Sequence, residues 1–363
     1  MTILLFLAVL FVLVLVHELG HFVVAKWTGM RVDEFGIGFP PRLFALRKGE
    51  TVYSLNALPI GGFVKIAGED GVFEGTEADR NRTFTARPRL AQAATLIAGV
   101  AMNALFAFIL FIAVYMLGVP TTVEENAAGE SAKLTVTEVI SNSPAARLAV
   151  PVGATITGLF AGEDTLSSLT PSAFSDFIQS HRREELSITY EYNGEATTVK
   201  LRPEIGVLEN NLERPAVGIA LSLVEEVKRP LSVAVVEAGK TTVASLVAII
   251  VGVSSLLIGA FTFSADLSQV AGPVGLVGMV GDAASFGLTS LLLFTAFISL
   301  NLAVINLLPV PALDGGRLLF VAVEALLRRP INPVWMSRVN FVGVALLMLL
   351  MLAVTYNDIL RIV

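Results

Sequence analysis

Long apolar segments constrain this chain more than any other feature of its sequence. A helix needs about 20 mostly apolar residues to cross a bilayer. Three stretches reach that length and a fourth approaches it: Thr2 to Val24, Ala91 to Val119, Phe286 to Val310, and Val339 to Tyr356. Hydrophobic residues make up 54% of the 363 residues and charged residues only 15%, a balance too apolar for an ordinary soluble enzyme. The sequence therefore predicts an α-helical polytopic membrane protein with the lipid bilayer as its surroundings.

The segment between the second and third spans has a different character. Charged residues return over residues 121 to 222, β-branched residues alternate in three short runs, and Pro171 to His181 has the periodicity of a helix. About 100 residues of this pattern suffice for one small α+β domain. We therefore predict a first membrane half at 1–120, an inserted domain at 121–225 and a second membrane half at 226–363. A small sheet or hairpin is expected within residues 28 to 90, where short β-like runs are punctuated by proline and glycine.

Composition excludes several classes of function. The chain has no cysteine, which removes disulfides, thiolate nucleophiles and cysteine-ligated metals. A net charge of −6 argues against nucleic acid as a partner, because phosphate binding needs a concentrated basic surface. Basic residues gather after the first span and after the third, so the positive-inside rule places both segments in the cytoplasm and the N-terminus outside. The inserted domain, which is acidic, is then extracytoplasmic.

The first span carries the pattern H-E-x-x-H as His17, Glu18 and His21. Two histidines four residues apart project from one face of a helix and can both bind zinc, and the glutamate beside them can act as a general base. The alternative is a group of polar residues packed between helices. Ionisable residues inside a span cost about 2.5 to 3.5 kcal/mol each on insertion scales, which favours a metal partner.

A catalytic zinc usually takes three protein ligands and leaves one position open. The remaining histidine, His181, lies in the predicted outer domain. Asp314 follows the third span and two helix-breaking prolines, so it is the predicted third ligand. An aspartate before glycine is also common in turns, but the need for a third ligand favours zinc. We therefore predict a Zn²⁺ site made by His17, His21 and Asp314.

The proposed ligands also constrain topology. His17 and Asp314 lie toward the cytoplasmic ends of their spans, so those spans must run in the same direction to share a metal. A fifth apolar stretch, Thr241 to Phe263, would invert the third span if it crossed the membrane once. The stretch is therefore predicted to lie at the interface or to re-enter, and residues 264–285 are expected on the outer side.

Together these motifs resemble the bacterial site-2 protease family of intramembrane zinc metalloproteases. The resemblance rests on the zinc motif, on the run from Asn306 to Gly315 (N-x-x-P-x-P-x-L-D-G) and on the inserted domain. It implies that the inserted domain is PDZ-like, and that residues 34–67 form a membrane-associated β-hairpin that pairs with an extended substrate. The residues it assigns to substrate binding are Asn103, Asn306, Gly61, Gly62, Phe63 and Val64. The run Gly272 to Gly275 (G-P-V-G) also matches a family element, without an assigned purpose.

The expected activity is an intramembrane zinc endopeptidase in the bacterial cytoplasmic membrane. Its substrates would be single-span membrane proteins such as anti-sigma factors or remnant signal peptides, cut in regulated intramembrane proteolysis. One alternative is a catalytically silent adaptor that binds protein tails through the PDZ-like domain, which the presence of Glu18 disfavours. Another is a zinc transporter, which needs acidic residues or histidines along several spans, whereas the second and fourth offer almost none.

Overall fold

The computed structural model describes residues 2–69, 75–129, 131–192, 194–207, 214–262 and 271–362. These residues form two compact units. One comprises residues 1–114 and 231–363, and the other comprises residues 115–230.

The first unit opens with a long apolar helix and a β-hairpin. Its elements are α1 (Thr2–Trp27), β1 (Val32–Lys48), β2 (Thr51–Ile66), a short 3-10 helix (Glu77–Arg82) and α2 (Arg89–Leu117). The helix α1 ends where Gly29 adopts a φ of 74° and the N–H of Met30 donates to the carbonyl of Ala25, which is the usual glycine termination. The predicted β-structure in residues 28 to 90 is confirmed.

The β1–β2 hairpin folds back on itself. Its pairing runs, with several register irregularities, from Lys48 with Thr51 to Val32 with Ile66, and residues 34–37 of β1 also pair with residues 52–55 of β2. The strand segments therefore lie side by side in the order 62–66, 34–37, 52–55 and 44–47. No described strand pairs with the outer edge of residues 62–66, so that edge of the sheet is open.

The second unit is an antiparallel sheet with two short helices. Its elements are β3 (Val119–Val123), a 3-10 turn (Glu125–Ala127), β4 (Lys133–Val139), α3 (Pro144–Arg147), β5 (Thr155–Ala161), β6 (Asp164–Thr165), α4 (Pro171–Ser180), β7 (Leu186–Tyr192), β8 (Glu195–Leu201) and β9 (Ile219–Val227). The sheet order is β3-β9-β4-β5-β7-β8, and β6 pairs with β5. The predicted helix is confirmed as α4, which begins after Thr170 and buries Phe174 and Ile178 in the core of this unit.

The chain then returns to the first unit for five more helices. They are α5 (Leu231–Phe261), α6 (Pro273–Ser285), α7 (Leu288–Leu307), α8 (Asp314–Leu327) and α9 (Pro333–Ile362). Within the described residues, five helices are long and apolar enough to cross a membrane, namely α1, α2, α5, α7 and α9. The four predicted spans are all confirmed as helices, and the protein is a multi-pass membrane protein.

The fifth apolar stretch belongs to a single long helix. Residues 241–261 lie within the unbroken 31-residue helix α5, which packs against α7. Its predicted placement, at the interface or re-entrant, stays a prediction. Phe263, and residues 264–270 of the predicted outer loop, lie outside the described residues.

Helices α1 and α7 run in the same direction, as the shared-metal argument requires. Near the end of α6, Gly281 lies against Thr2 at the start of α1. Only Phe286 and Gly287 separate α6 from α7, so α7 begins at the end of the bundle where α1 begins. The turn after α7 then brings Asp314 to His17 and His21, well along α1.

Candidate metal centre

Three side chains converge where α1 meets the start of α8. The Nε2 atoms of His17 and His21 lie 3.1 Å apart, and they are 2.9 and 3.2 Å from Oδ2 of Asp314. Both histidines are 8% exposed. The structure thus brings together the three residues predicted from the sequence, and they form a group able to hold a metal ion.

The size and chemistry of this donor set fit zinc. Zinc binds histidine nitrogen and carboxylate oxygen at about 2.0 to 2.2 Å, and tetrahedral geometry then separates the ligand atoms by about 3.3 to 3.5 Å. The observed triangle is only slightly smaller. Two imidazoles and one carboxylate are also a common protein ligand set of catalytic zinc.

Hydrogen bonds fix the ring of His21 for metal binding. Its Nδ1 lies 2.7 Å from the backbone carbonyl of Thr95 in α2. A carbonyl oxygen only accepts, so Nδ1 carries the proton and Nε2 keeps its lone pair for the metal. Such a partner on the far ring nitrogen is the usual support of a metal-binding histidine.

Asn103 supports His17 in the same way. Its amide lies 3.4 Å from His17 Nδ1, its side chain is fully buried, and its Oδ1 has no other hydrogen-bond partner among the described residues. Because an amide can be turned by 180° without changing its shape, we assign Oδ1 to accept from Nδ1–H. This assignment satisfies the buried oxygen and leaves Nε2 of His17 free for the metal. Asn103 therefore contacts His17, a candidate metal ligand, whereas the sequence suggested a role in substrate binding.

Two glycines after Asp314 hold it in place. A Cβ on Gly315 would lie under 3.0 Å from the carbonyls of Leu307 and Leu308, and one on Gly316 would meet the carbonyl of Val310 as closely. The start of α8 therefore packs directly on the turn that follows α7. Asp314 is the first residue of α8, where the positive end of the helix dipole favours a carboxylate. The L-D-G-G sequence thus fixes the position of the carboxylate.

Comparison with known proteins agrees with this geometry. The profile of peptidase family M50 matches residues 5–350. The chain belongs to peptidase family M50. It is 34% identical to a Clostridium perfringens protein whose name marks it as a candidate zinc metalloprotease, over 96% of this chain and 95% of that protein. It is 30% identical to the regulator of sigma-W protease RasP of Bacillus subtilis, over 99% and 98% of the two chains. A zinc metalloprotease RasP of Geobacillus kaustophilus is also 30% identical, over 98% and 96%.

The predicted resemblance is therefore confirmed at the level of the family. This M50 peptidase is a zinc metalloprotease, and its cofactor is Zn²⁺. The roles of the individual residues are argued from the geometry. Glu18 is half-buried, and a Cβ on Gly62 at the open edge of the sheet would lie 3.9 Å from its Cγ. Asn306 is half-buried near the end of α7 and makes no side-chain hydrogen bond to another described residue.

The other predicted substrate residues lie on the open edge strand. Gly61 adopts a φ of 122° and faces Val14 of α1. Phe63 stacks on Phe39 with ring centres 6.1 Å apart, and Val64 packs against the buried cluster around Met30. The side chains therefore secure the strand, and no described strand pairs with its outer backbone edge.

Gly99 brings α2 onto the candidate metal donors of this M50 peptidase, a packing role that the sequence did not assign to it. A Cβ on Gly99 would lie under 3.0 Å from both His21 and His17, and one on Gly20 would meet the Ala98 carbonyl as closely. The sequence signal for this close approach is one glycine in each of the two facing helices: Gly20 within H-E-x-x-H, and Gly99 in α2. These contacts make α2 one wall of the metal centre.

Gly99→Ala is expected to displace the histidine rings. The added methyl group has no room, so zinc affinity and the rate of proteolysis should each fall about 10- to 100-fold, the range seen when outer-shell support of a metal ligand is lost. Zinc titration and cleavage assays on the purified variant measure both effects. Gly252→Ala in α5 is the matched control, because its Cβ meets nothing within 4 Å among the described residues. Wild-type zinc affinity in Gly99→Ala would contradict the packing argument.

Proposed function

We propose that this M50 peptidase cleaves transmembrane segments of single-span membrane proteins in regulated intramembrane proteolysis. The observation that carries the proposal is the meeting of three elements: the donor set of His17, His21 and Asp314, the carboxylate of Glu18, and an open strand edge. All three belong to the unit built from apolar helices. Substrates of the anti-sigma factor class are favoured by the Bacillus subtilis relative, which is named for sigma-W regulation; remnant signal peptides are the other expected class.

In the proposed reaction His17, His21 and Asp314 hold the metal, and Glu18 moves the proton. Bound zinc would polarise the scissile carbonyl and lower the pKa of the attacking water toward about 7. Glu18 takes the proton of that water and later delivers it to the leaving amine. Asn306 would donate a hydrogen bond to the substrate. Asn103 holds His17 in its binding tautomer, so its contribution is indirect.

The open edge at residues 61–64 solves a problem that is specific to helical substrates. A transmembrane helix satisfies its own amides and hides them from attack. If the substrate adds as a strand to the edge formed by Gly61, Gly62, Phe63 and Val64, the sheet supplies new partners for the unwound backbone. Since a Cβ on Gly62 would lie 3.9 Å from Glu18 Cγ, a peptide added at this edge would lie near the proposed proton acceptor.

We further propose that residues 115–230 act as an extracytoplasmic PDZ-like docking module or size filter. A groove of about 320 Å³ runs between α4 and the segment leading into β9, lined by Phe174, Ile178 and Gly218 among others. None of the three donors or Glu18 belongs to this unit, so catalysis does not need its residues. A catalytically silent adaptor would also use such a groove, but it would not need the complete donor set and its adjacent glutamate.

Reconstitution in liposomes tests this function. The intact enzyme should cleave a single-span substrate whose outer domain has been removed and spare the same protein with a folded outer domain. Because Val119 and Val227 are paired neighbours, residues 120–226 can be replaced by a short linker. That variant should cleave both substrates, at sites that mass spectrometry places near the cytoplasmic end of the span. Failure of every single-span substrate to be cut would contradict the proposal, and loss of zinc from the shortened variant would contradict the separation of roles.

The proposed localisation is the bacterial cytoplasmic membrane with the N-terminus and residues 115–230 outside. This orientation predicts that α6 lies at the outer side, since its end contacts the start of α1. With α6 on the outer side and α7 running in the same direction as α1, the proposed topology requires that α5, which packs against α7, does not carry the chain to the cytoplasmic side.

Cysteine labelling tests this topology in a chain that has no cysteine of its own. Ser285→Cys, at an exposed position at the end of α6, should react with an impermeant thiol reagent applied to intact cells. Ser141→Cys is the outer control and Lys48→Cys the inner one, and both positions are exposed. If Ser285→Cys reacted only after permeabilisation while Ser141→Cys was already labelled, the proposed orientation of α6 would be wrong.

A further inference from the structure

The run Gly272 to Gly275 surrounds a buried carboxylate from the far end of the chain. Asp358 in α9 is 3% exposed. Its Oδ1 accepts from the N–H of Gly272 at 3.0 Å, and its Oδ2 accepts from the N–H of Gly275 at 2.8 Å. An ionisable residue within an apolar span is costly unless it has partners, and these backbone donors are partners of that kind.

The geometry is that of a helix cap supplied from another helix. Gly272 is the N-cap of α6, and its own residue type provides no side-chain acceptor. In an ordinary capping box, the N-cap and the third helical residue satisfy each other's N–H groups with their own side chains. Here one carboxylate of α9 binds both of those N–H groups. Pro273 fills the first helical position, where the missing N–H costs nothing.

Room for this carboxylate explains the two glycines of the G-P-V-G run. A Cβ on Gly272 would lie under 3.0 Å from Asp358 Oδ2 and from Val354, and a Cβ on Gly275 would lie 3.2 Å from Asp358 Oδ1. Side chains at either position would push α9 away. The two glycines of the run therefore leave the space that the Asp358 carboxylate occupies.

The capped helix α6 connects α1, α7 and α9, the helices that position the proposed metal donors. Near its end α6 contacts Thr2 of α1 through Gly281, and it leads into α7 through Gly287. The helix α9 in turn presses Gly343 against Pro311, in the turn before Asp314. The two histidines lie at a fixed distance along α1 from its contact with α6, and Asp314 lies at a fixed distance beyond α7. A shift of α6 therefore changes the position of Asp314 relative to His17 and His21.

We propose that Asp358 is a positioning residue for proteolysis, which caps α6 and thereby fixes the register of α1 against α7 and the alignment of Asp314 with His17 and His21. This inference rests on the proposed role of those three residues as zinc ligands. Misplacement of a catalytic group by about 1 Å costs on the order of 100-fold in rate. Asp358→Ala should therefore lower kcat about 10- to 100-fold with KM changed less than about threefold, since the strand edge is untouched.

A double-mutant cycle separates this role from general loss of structure. Gly275→Ala, which crowds the same carboxylate, should lower kcat by itself. The double variant Gly275→Ala with Asp358→Ala should be no slower than Asp358→Ala alone, because both changes break one contact. Asp358→Asn, which keeps an acceptor oxygen, should recover part of the rate. Tyr356→Phe, at an exposed position nearby in α9, is the control and should be unchanged.

Two measurements that do not depend on proteolysis complete the test. In the cobalt-substituted enzyme, the visible absorption bands of Co²⁺ should change in Asp358→Ala and stay unchanged in Tyr356→Phe. A disulfide between Thr2→Cys and Gly281→Cys should form readily with Asp358 present and several-fold more slowly in Asp358→Ala, whether or not the assigned zinc ligands are correct. Wild-type cross-linking in Asp358→Ala would overturn the cap. An unchanged kcat and cobalt spectrum, or fully additive effects in the cycle, would overturn the positioning role.

Discussion

Glu18→Gln is expected to abolish proteolysis and to leave zinc bound. Glutamine keeps the size of the side chain but cannot accept the proton of the attacking water, and a positioned general acid or base contributes about 10²- to 10⁴-fold. His17, His21 and Asp314 keep their mutual distances of 2.9 to 3.2 Å, because none of those distances involves Glu18. The catalytic rate should therefore fall by about 10²-fold or more at unchanged metal content.

The experiment compares purified wild-type and Glu18→Gln protein in the same liposomes. Zinc content is measured by atomic emission, and cleavage of a single-span substrate is followed under single-turnover conditions. Glu77→Gln is a matched control, because Glu77 is highly exposed in the 3-10 helix. Undiminished cleavage by Glu18→Gln would eliminate the proposed proton transfer, whereas loss of zinc would mean that Glu18 helps to hold the metal.

The proposed metal donors could be predicted because two of them carry a local signature and the third follows from the chemistry of zinc. The spacing of His17 and His21 fixes their common face on any α-helix, and the long apolar run fixes the helix itself. Asp314 was reached by elimination, since a third ligand was required and the remaining histidine lay in another domain. Local periodicity and the chemistry of zinc were enough for these assignments, and the structure brings the three residues together.

The support of those donors was beyond the sequence because it depends on contacts between distant segments. The partner of His21 is a backbone carbonyl of Thr95, which any residue type could provide. Asn103 was noticed, but its contact with His17 is a matter of how α2 faces α1. The hydrogen bonds of Asp358 join residues that are more than 80 positions apart in the sequence, so no local sequence pattern could predict them.

The path of the chain could be predicted only where it depends on local sequence patterns. Hydropathy identified the long apolar helices, and β-branched runs identified three strands of the second unit, β4, β7 and β8. The second pairing of residues 34–37 required knowledge that the hairpin folds back. Packing of α5 against α7 likewise depends on neighbouring helices, so an argument from parity predicted the shared direction of α1 and α7 but could not describe how α5 packs.

Asp314→Ala is expected to remove both zinc and activity. The carboxylate is one of three donors, and losing even an outer-shell partner weakens binding about 10- to 100-fold, so loss of a ligand should exceed about 100-fold. Asp314→Asn keeps one acceptor oxygen but loses the negative charge, so its zinc affinity and activity should lie between those of the wild type and of Asp314→Ala. Competition with a chelator of known affinity measures zinc binding, and cleavage at saturating zinc shows how much activity the metal restores. Asp282→Ala, at an exposed aspartate of α6, is the control for loss of a carboxylate. Full metal occupancy with wild-type affinity in Asp314→Ala would mean that the third ligand is another residue, because His17 and His21 alone leave two of four tetrahedral positions without protein donors.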